Sequence, residues 1–430
     1  AIVLGRVAGF GGGRATPLCD SPEAAGSACR ARTARASSAF EQPTRGLEEP
    51  IGITSGVGEA QQAKLCAALD ASVSSAGDSG PMSSAAPALV GELFDGPIDI
   101  VGDIHGEAGS LHALLLRLGY DGAGGHPEGR RLVFVGDLVD RGPDSLGVVR
   151  LVRSLVDRGR AQMILGNHEL NLLRGDHKHG NHWFWGEVEH LCNGATEAKH
   201  PVLAPGSATF QVLLEDEQER ASICAFLRQQ PLVLQRDGLK VVHAMWHAES
   251  AEKLASFRGD AAKAFEEFEA IIQQKLDTEL KDASKDERDM AKQNENPVTV
   301  LTTGMEVPAA EPFFAGGKMR TLERHRWWET YGGEAGLIVI GHYWRQLPDA
   351  EDLGFSPTGP PLFPKGEKPD LLGPSRAVMC VDYSVGLRYE ERGRGLPEGS
   401  LGTALTALRL PEMRLHFADG RPAVELEVAQ

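Results

Sequence analysis

The chain has 430 residues, of which 41% are hydrophobic and 24% charged, which is typical of a globular protein with one large domain plus additions or two domains. Its formal net charge of −16 disfavours a basic groove for DNA or RNA, so no nucleic-acid partner is expected. Six cysteines without a C-x-x-C pair favour reduced thiols in the cytoplasm over a zinc site, and no apolar run approaches the roughly 18 residues of a membrane span.

Residues 1–95 are rich in alanine, glycine and serine, which predicts a low-complexity, disordered leader. A catalytic domain is expected over residues 96–430, because short apolar, β-branched runs that predict buried strands begin there. These runs lie at residues 97–102, 131–136 and 161–166, with helical spacing between them at 110–120 and 145–159. Strands that alternate with helices indicate an α/β core with parallel pairing.

The second half of the chain is less regular. The charged stretch at about residues 249–293 predicts helices of an insertion that extends to about residue 335. The other predicted elements are a helix at 215–230, strands at 239–244, 337–341 and 377–382, and an antiparallel meander at 404–410 and 412–417.

The first three predicted strands end in the same way, with an apolar run, a glycine and then polar residues. The three clusters are GDIHG (102–106), GDLVDRG (136–142) and GNHE (166–169). In open α/β sheets, ligands bind just beyond the carboxyl ends of the strands. We therefore expect the three clusters to meet in space.

The residue types in these clusters suit two divalent metal ions. Carboxylates mixed with imidazoles favour Mn, with Fe and Zn as alternatives. Asp103 and His105, two apart in an extended segment, should point to one face. Paired ions would lower the pKa of a water shared between them toward about 7. The expected ligands of one ion are Asp103, His105 and Asp137, and those of the other are Asp137, Asn167, His243 and His342.

Three further residues suit phosphate chemistry. Arg141 can hold phosphate oxygens in a bidentate fork, and Asn167 can assist it. His168 could protonate a leaving oxygen, with Asp140 bonded to its imidazole. A hydroxide between the two metals would then attack phosphorus in line, without a phosphoenzyme.

Other histidines have a simpler interpretation. His177, His179 and His182 lie in DHKHGNHWFW, which favours a solvated loop followed by aromatic packing over a third metal site. His243 ends a buried strand and could be an ordinary core residue. His342 follows Gly341 and repeats the pattern of strand, glycine and ligand.

At these motifs the chain resembles the phosphoprotein-phosphatase family of calcineurin-like metallophosphoesterases, of bacterial type. The resemblance implies a four-layer αββα sandwich with a helical insertion, two metals at one edge, and the ligand and acid roles given above. It also implies a second arginine that binds phosphate before the last histidine. Arg320, Arg324 and Arg326 are the candidates, and Arg326 is favoured.

Two branches of the family compete for the substrate. GDLVDRGPDSLGVVRLVRSL and VDYSVG resemble symmetrical diadenosine-tetraphosphate hydrolases, which usually lack the equivalents of Asp140 and Glu169. Asp140 and Glu169 favour a serine/threonine phosphoprotein phosphatase, although Ala-Met-Trp follows His243 where that branch has Gly-Gly. The substrate is thus a phosphorylated protein or a nucleotide. Two alternative hypotheses about function are a nuclease and an inactive binding module of the same fold.

Overall fold

Short aliphatic runs form the strands that carry the polar clusters. The computed structural model describes residues 87–188, 211–315, 318–348, 362–364, 366–393, 395–396 and 402–427. The strands are β1 (Val90–Glu92), β2 (Ile98–Val101), β3 (Arg131–Phe134), β4 (Ala161–Met163), β5 (Val233–Arg236), β6 (Leu239–Val242), β7 (Glu306–Ala315), β8 (Lys318–Arg324), β9 (Leu337–Ile340), β10 (Val378–Cys380), β11 (Asp382–Tyr383), β12 (Ala404–Leu410), β13 (Arg414–Phe417) and β14 (Val424–Glu425).

The helices lie mostly between the parallel strands and in the insertion. They are α1 (Ala108–Leu118), α2 (Ser145–Asp157), α3 (Asn167–Arg174), α4 (Glu217–Leu227), α5 (Ala248–Ala255), α6 (Ala261–Thr278), α7 (Lys285–Glu295), α8 (Pro297–Thr303) and α9 (Arg388–Gly393). Short 3-10 helices cover His182–Trp185, Trp327–Glu329 and Val385–Leu387. None of the helices among the described residues is both long and apolar enough to span a membrane.

The strands form two main sheets. A seven-stranded sheet has the order β14-β13-β12-β2-β3-β4, with β11 paired to β12, and β2, β3 and β4 run parallel. A five-stranded sheet has the order β1-β5-β6-β9-β10, in which β6, β9 and β10 run parallel. The expected parallel α/β pairing is therefore confirmed in both sheets.

Side chains alternate between the two faces of each sheet. Ile100 and Val133 of the seven-stranded sheet pack in one cluster with Val241 and Val339 of the five-stranded sheet, so the two sheets pack face to face. On the outer face, Phe134 belongs to the cluster that includes the apolar sides of α1 and α2. Helices on the outer faces of two packed sheets give the expected four-layer αββα sandwich.

Two expectations about the domain organisation need correction. β1 pairs in parallel with β5, so residues 90–92 belong to the sandwich although the leader was expected to extend to residue 95. The rest of the expected leader, residues 1–86, lies outside the described residues. The insertion is helical only from Ala248 to Thr303, and it continues as the antiparallel hairpin β7–β8.

Candidate active site

The polar clusters meet where the two sheets adjoin. The loops after β2, β3 and β4 lie side by side, and the amides of Ile104 and His105 both donate to the carbonyl of Asp137, at 3.0 and 2.9 Å. In the other sheet, His243 directly follows β6, and His342 lies two residues after the end of β9. The amide of His342 donates to Asp103 Oδ2 at 3.0 Å, which ties the second sheet to the first.

Asp137 lies at the centre of the donor atoms. Its Oδ2 is 3.3 Å from His243 Nε2 and 3.7 Å from His105 Nε2. It belongs to two groups whose ligand atoms all lie within 4.8 Å of one another, one with His105 and His168 and the other with His243 and His342. Asp137 is therefore the residue that the two groups have in common.

Several buried donor atoms have no hydrogen-bond partner among the described residues. Four of them belong to predicted metal ligands: Asp103 Oδ1, His105 Nε2, Asn167 Oδ1 and His243 Nε2. Burying such atoms without a partner is costly, and the two imidazole nitrogens, which lie 3.7 and 3.3 Å from Asp137 Oδ2, fit bound cations. A set of oxygens and imidazole nitrogens without sulfur suits Mn, Fe or Zn.

Hydrogen bonds at Nδ1 orient the imidazoles of His105 and His243. His105 Nδ1 lies 3.1 Å from the carbonyl of Val139, and His243 Nδ1 lies 2.7 Å from that of Val135. A carbonyl can only accept, so each Nδ1 carries a proton, and Nε2 is the nitrogen left to bind a metal.

The backbone at the site is strained. His105, Asp137, Asp140, Arg141 and His342 all have φ between +47° and +74°, a region that residues with a Cβ rarely adopt. The sequence predicts that Asp103 and His105 share one face of an extended segment. The positive φ at His105 shows that this segment is not extended. The chain instead turns at His105, whose φ is +47°. Strain of this kind persists where the surroundings fix it, and it clusters at functional sites.

Burial and charge set the ionisation of the site. Burial and the neighbouring Asp382 raise the pKa of the Asp103 carboxyl well above its usual value. Burial also opposes ionisation of Asp137, but the surrounding histidines, His243 first, hold the pKa of that carboxyl well below its usual value. The Asp137 carboxylate is therefore anionic where the two groups of donor atoms meet.

Glu169 is a buried residue to which the sequence analysis gave no chemical role. Its carboxylate accepts the amides of Asp137 at 2.9 Å, Leu138 at 2.8 Å and Gly166 at 2.9 Å. It thereby joins the loop after β3 to the start of α3. A glutamate three residues after an N-cap is the capping-box pattern, and that signal could have identified the role.

His168 and Asp140 form a buried pair. His168 Nδ1 lies 2.6 Å from Asp140 Oδ2, and Trp183 Nε1 donates to Asp140 Oδ1 at 2.9 Å. The other nitrogen, His168 Nε2, lies 3.9 Å from Asp137 Oδ2 and so faces the donor cluster. The pair can orient an imidazole that transfers a proton at the site.

The candidate phosphate-binding arginines differ in position: Arg141 and Arg324 contact residues of the site, whereas Arg326 and Arg320 contact residues of the hairpin and of the turn after it. The guanidinium of Arg141 stacks over Trp344, with its carbon 4.3 Å from the ring centre. Arg324, at the end of β8, approaches the carbonyl of His342 with Nη1 at 3.4 Å. The favoured Arg326 instead lies exposed with its Nη1 3.6 Å from Glu329, because the chain turns into the 3-10 helix there. Arg320 approaches Ala315 within the hairpin.

The chain is similar to known proteins. Residues 96–343 match the calcineurin-like phosphoesterase family. The chain is 35% identical over 338 residues to a symmetrical bis(5'-nucleosyl)-tetraphosphatase of Aromatoleum aromaticum, covering 73% of this chain and 94% of that relative. It is 38% identical over 154 residues to the asymmetrical bis(5'-nucleosyl)-tetraphosphatase PrpE of Geobacillus thermodenitrificans, covering 34% of this chain and 56% of that relative, which is less than two thirds of its length.

A solved structure of a cold-active protein-tyrosine phosphatase of a Shewanella species is similar over 82% of this chain and 87% of that one, at 16% identity and a TM-score of 0.40. A likeness of that size has no bearing on activity. The family match covers more than half of the chain, and it spans every predicted metal ligand. The chain therefore belongs to the calcineurin-like phosphoesterase family.

Proposed function

We propose that this protein is a metallophosphoesterase, a hydrolase of phosphate ester or phosphoanhydride bonds, and that it is a phosphatase of serine and threonine phosphoproteins. The observation that carries the proposal is the bond of 2.6 Å between His168 and Asp140. Cleavage of an alkyl phosphate expels a strongly basic alkoxide, which needs a proton in the transition state. Cleavage of a phosphoanhydride expels a phosphate, which needs none. A buried, oriented general acid is therefore of most use to an enzyme that acts on alkyl monoesters.

The metal ligands that we propose are those expected from the sequence. Asp103, His105 and Asp137 would hold one ion, and Asp137, Asn167, His243 and His342 the other. When bound, two divalent ions, of which we favour Mn, polarise a phosphate and lower the pKa of bound water. Glu169 would act as a positioning residue, because it bonds the backbone of the loop that carries Asp137.

Phosphate would be held by three side chains of this chain. Arg141 can offer a planar fork, and its stacking on Trp344 fixes the guanidinium plane. Arg324 replaces Arg326 in our proposal, because it lies beside His342 and half-buried, where its charge is less screened. Asn167 contributes an amide at the start of α3.

His168 would move the proton. With its Nδ1 proton held by Asp140, a protonated imidazole presents Nε2–H to the donor cluster and can give that proton to the leaving oxygen. Trp183 donates to the other oxygen of Asp140, so the carboxylate cannot turn away from the imidazole.

A leaving-group experiment tests this function. Asp140→Asn should lower kcat/KM on a phosphoserine peptide by about 10²-fold, the usual contribution of a positioned acid. The loss on 4-nitrophenyl phosphate should be much smaller, because its leaving group is weakly basic. Asp157→Asn, at an exposed carboxylate of α2, is the matched control. Equal losses on the two substrates would remove the general acid from the proposal.

A symmetrical dinucleoside tetraphosphatase is the second candidate. The observation in favour of this candidate is that the Aromatoleum aromaticum relative, which this chain matches over 94% of its length, bears that name. Diadenosine tetraphosphate should be compared with the peptide at equal Mn²⁺ concentration. A higher kcat/KM on the nucleotide, with two ADP as products and no dependence on Asp140, would favour the second candidate.

A further inference from the structure

A second group of metal-binding side chains lies in the segment after α3. His182 Nδ1 is 3.1 Å from Glu187 Oε2, and His177 Nδ1 is 4.0 Å from the same oxygen. The ligand atoms of the three residues all lie within 4.8 Å of one another. From the sequence alone, a solvated loop was favoured here. The third histidine of the segment, His179, lies instead against the ring of Tyr389.

The local fold holds these three side chains in place. The ring of His177 stacks on Trp185, with centroids 4.5 Å apart and planes 17° from parallel. Gly186, at φ +74°, turns the chain back after the 3-10 helix, and the amide of Glu187 then donates to the carbonyl of His182 at 3.1 Å. The left-handed turn favours glycine, and it returns the carboxylate to the histidines.

A buried asparagine fixes the rest of the segment. Asn181 is fully buried, its Nδ2 donates to the carbonyl of Asp176 at 2.9 Å, and its Oδ1 accepts the amide of Lys178 at 2.8 Å. His177 lies between these two contacts. The three donor residues therefore lie on an ordered loop, so that binding a ligand costs little loop entropy.

We propose that His177, His182 and Glu187 form a third metal site that takes zinc. Two imidazoles and one carboxylate form a common donor set of zinc, and a water completes the tetrahedron. Ligand atoms at about 2.0–2.1 Å from zinc lie about 3.3–3.4 Å apart in a tetrahedron. The separations of 3.1 and 4.0 Å lie on either side of that value, so small side-chain rotations close the site. The three side chains are 34–53% exposed, so an ion can enter from solvent.

The zinc site would stabilise the segment that contacts Asp140, the partner of His168. Between His177 and Glu187 the same segment carries Gly180 and Trp183. The carbonyl of Gly180 accepts the amide of Arg141 at 2.9 Å, and Trp183 donates to Asp140 at 2.9 Å. One zinc ion held by His177 at the start of the segment and by Glu187 at its end would stabilise these two contacts without touching substrate.

The test counts metal ions in protein without a histidine tag. Wild type is saturated with Mn²⁺, exposed to stoichiometric Zn²⁺, desalted, and its total Mn and Zn are measured by mass spectrometry. His177→Ala and Glu187→Gln should each hold one ion fewer than wild type. His179→Ala, in the same loop, is the control and should hold the wild-type number. Total metal is used because zinc can also replace manganese at the catalytic donors.

Thermal unfolding gives a second readout that does not depend on activity. Zn²⁺ added to the Mn-saturated protein should raise Tm by several degrees in wild type and in His179→Ala, because it binds only the folded loop. It should not do so in His177→Ala or Glu187→Gln. The proposal fails if wild type holds no more ions than His177→Ala, or if His179→Ala loses the ion equally. Glu187→Gln keeps the shape of the side chain, so misfolding cannot explain its loss.

Discussion

Glu169 shows how a side chain that touches no substrate can shape a metal site. Its carboxylate accepts three amides from two different loops, and burial together with the charge of Asp137 raises its pKa to about 7. The loop after β3 carries Asp137 at a positive φ, which is uncommon for a residue with a Cβ. The bonds from Glu169 therefore hold a strained backbone in the conformation that presents the shared ligand.

Removing that carboxylate should weaken metal binding. Glu169→Ala leaves three buried amides without their acceptor, at about 1–3 kcal/mol each. We expect the Kd for Mn²⁺ to rise about 10–100-fold, the usual effect of losing a group that supports a ligand. Isothermal titration calorimetry on metal-free protein measures this. Glu267→Ala, at an exposed glutamate of α6, should bind as wild type does. An unchanged Kd in Glu169→Ala would show that the loop holds its shape without the carboxylate.

The two neighbouring arginines Arg324 and Arg326 make a matched pair of variants. Arg324→Ala should lower kcat/KM about 10–100-fold, because a charge-assisted bond to phosphate is worth about 1.5–3 kcal/mol. Arg326→Ala should change it by less than about 2-fold, since its exposed side chain forms a surface ion pair with Glu329. Inorganic phosphate should also inhibit Arg324→Ala more weakly than it inhibits Arg326→Ala. The reverse order would restore the assignment made from the sequence.

At the scale of elements, the strands that carry ligands were predictable and the hairpin was not. β2 is buried throughout, and β3 and β4 are buried apart from Arg131 and Gln162. Each strand therefore lies in a mostly apolar run that ends in glycine. β7 contains Pro308 and Pro312, residues that argue against a strand, and its register shifts between Pro308 and Phe313. A two-stranded ribbon outside the main sheets tolerates both features. Our proposal of Arg324 in place of Arg326 depends on the same hairpin, because Arg324 is its last residue.

Helix α7 anchors the hairpin that carries Arg324. Asn294 Nδ2 donates to the carbonyl of Glu306 at 2.8 Å, and Asn294 Oδ1 accepts the amide of Glu306 at 2.9 Å. Asn294→Ala removes both bonds and should loosen the start of β7. We expect KM to rise several-fold while the affinity for Mn²⁺ stays unchanged, because no metal ligand lies in the insertion. Gln273→Ala, on the exposed side of α6, is the control. A loss of metal affinity in Asn294→Ala would contradict this division of roles.

On the scale of the whole molecule, the site joins the two sheets. Four of the proposed ligands follow β2, β3 and β4, and two follow β6 and β9. Motif order along the chain predicted which residues meet, because the carboxyl ends of parallel strands share an edge. It did not predict that the last two histidines come from a separate sheet. The pairing of β12 with β2 and of β9 with β10 depends on long-range contacts that periodicity does not encode.

Metal removal should therefore destabilise the sandwich. An ion that binds only the folded state adds about 2.7 kcal/mol at a hundred times its Kd, so chelation should lower Tm by several degrees. Asp103→Asn should lose most of this metal-dependent difference, because the charged ligand that also accepts the amide of His342 is gone. Asp277→Asn, at an exposed site on α6, should keep it. Differential scanning calorimetry with and without Mn²⁺ measures the difference. If wild type and Asp103→Asn gained equally from metal, the ion would have to bind away from the junction of the two sheets.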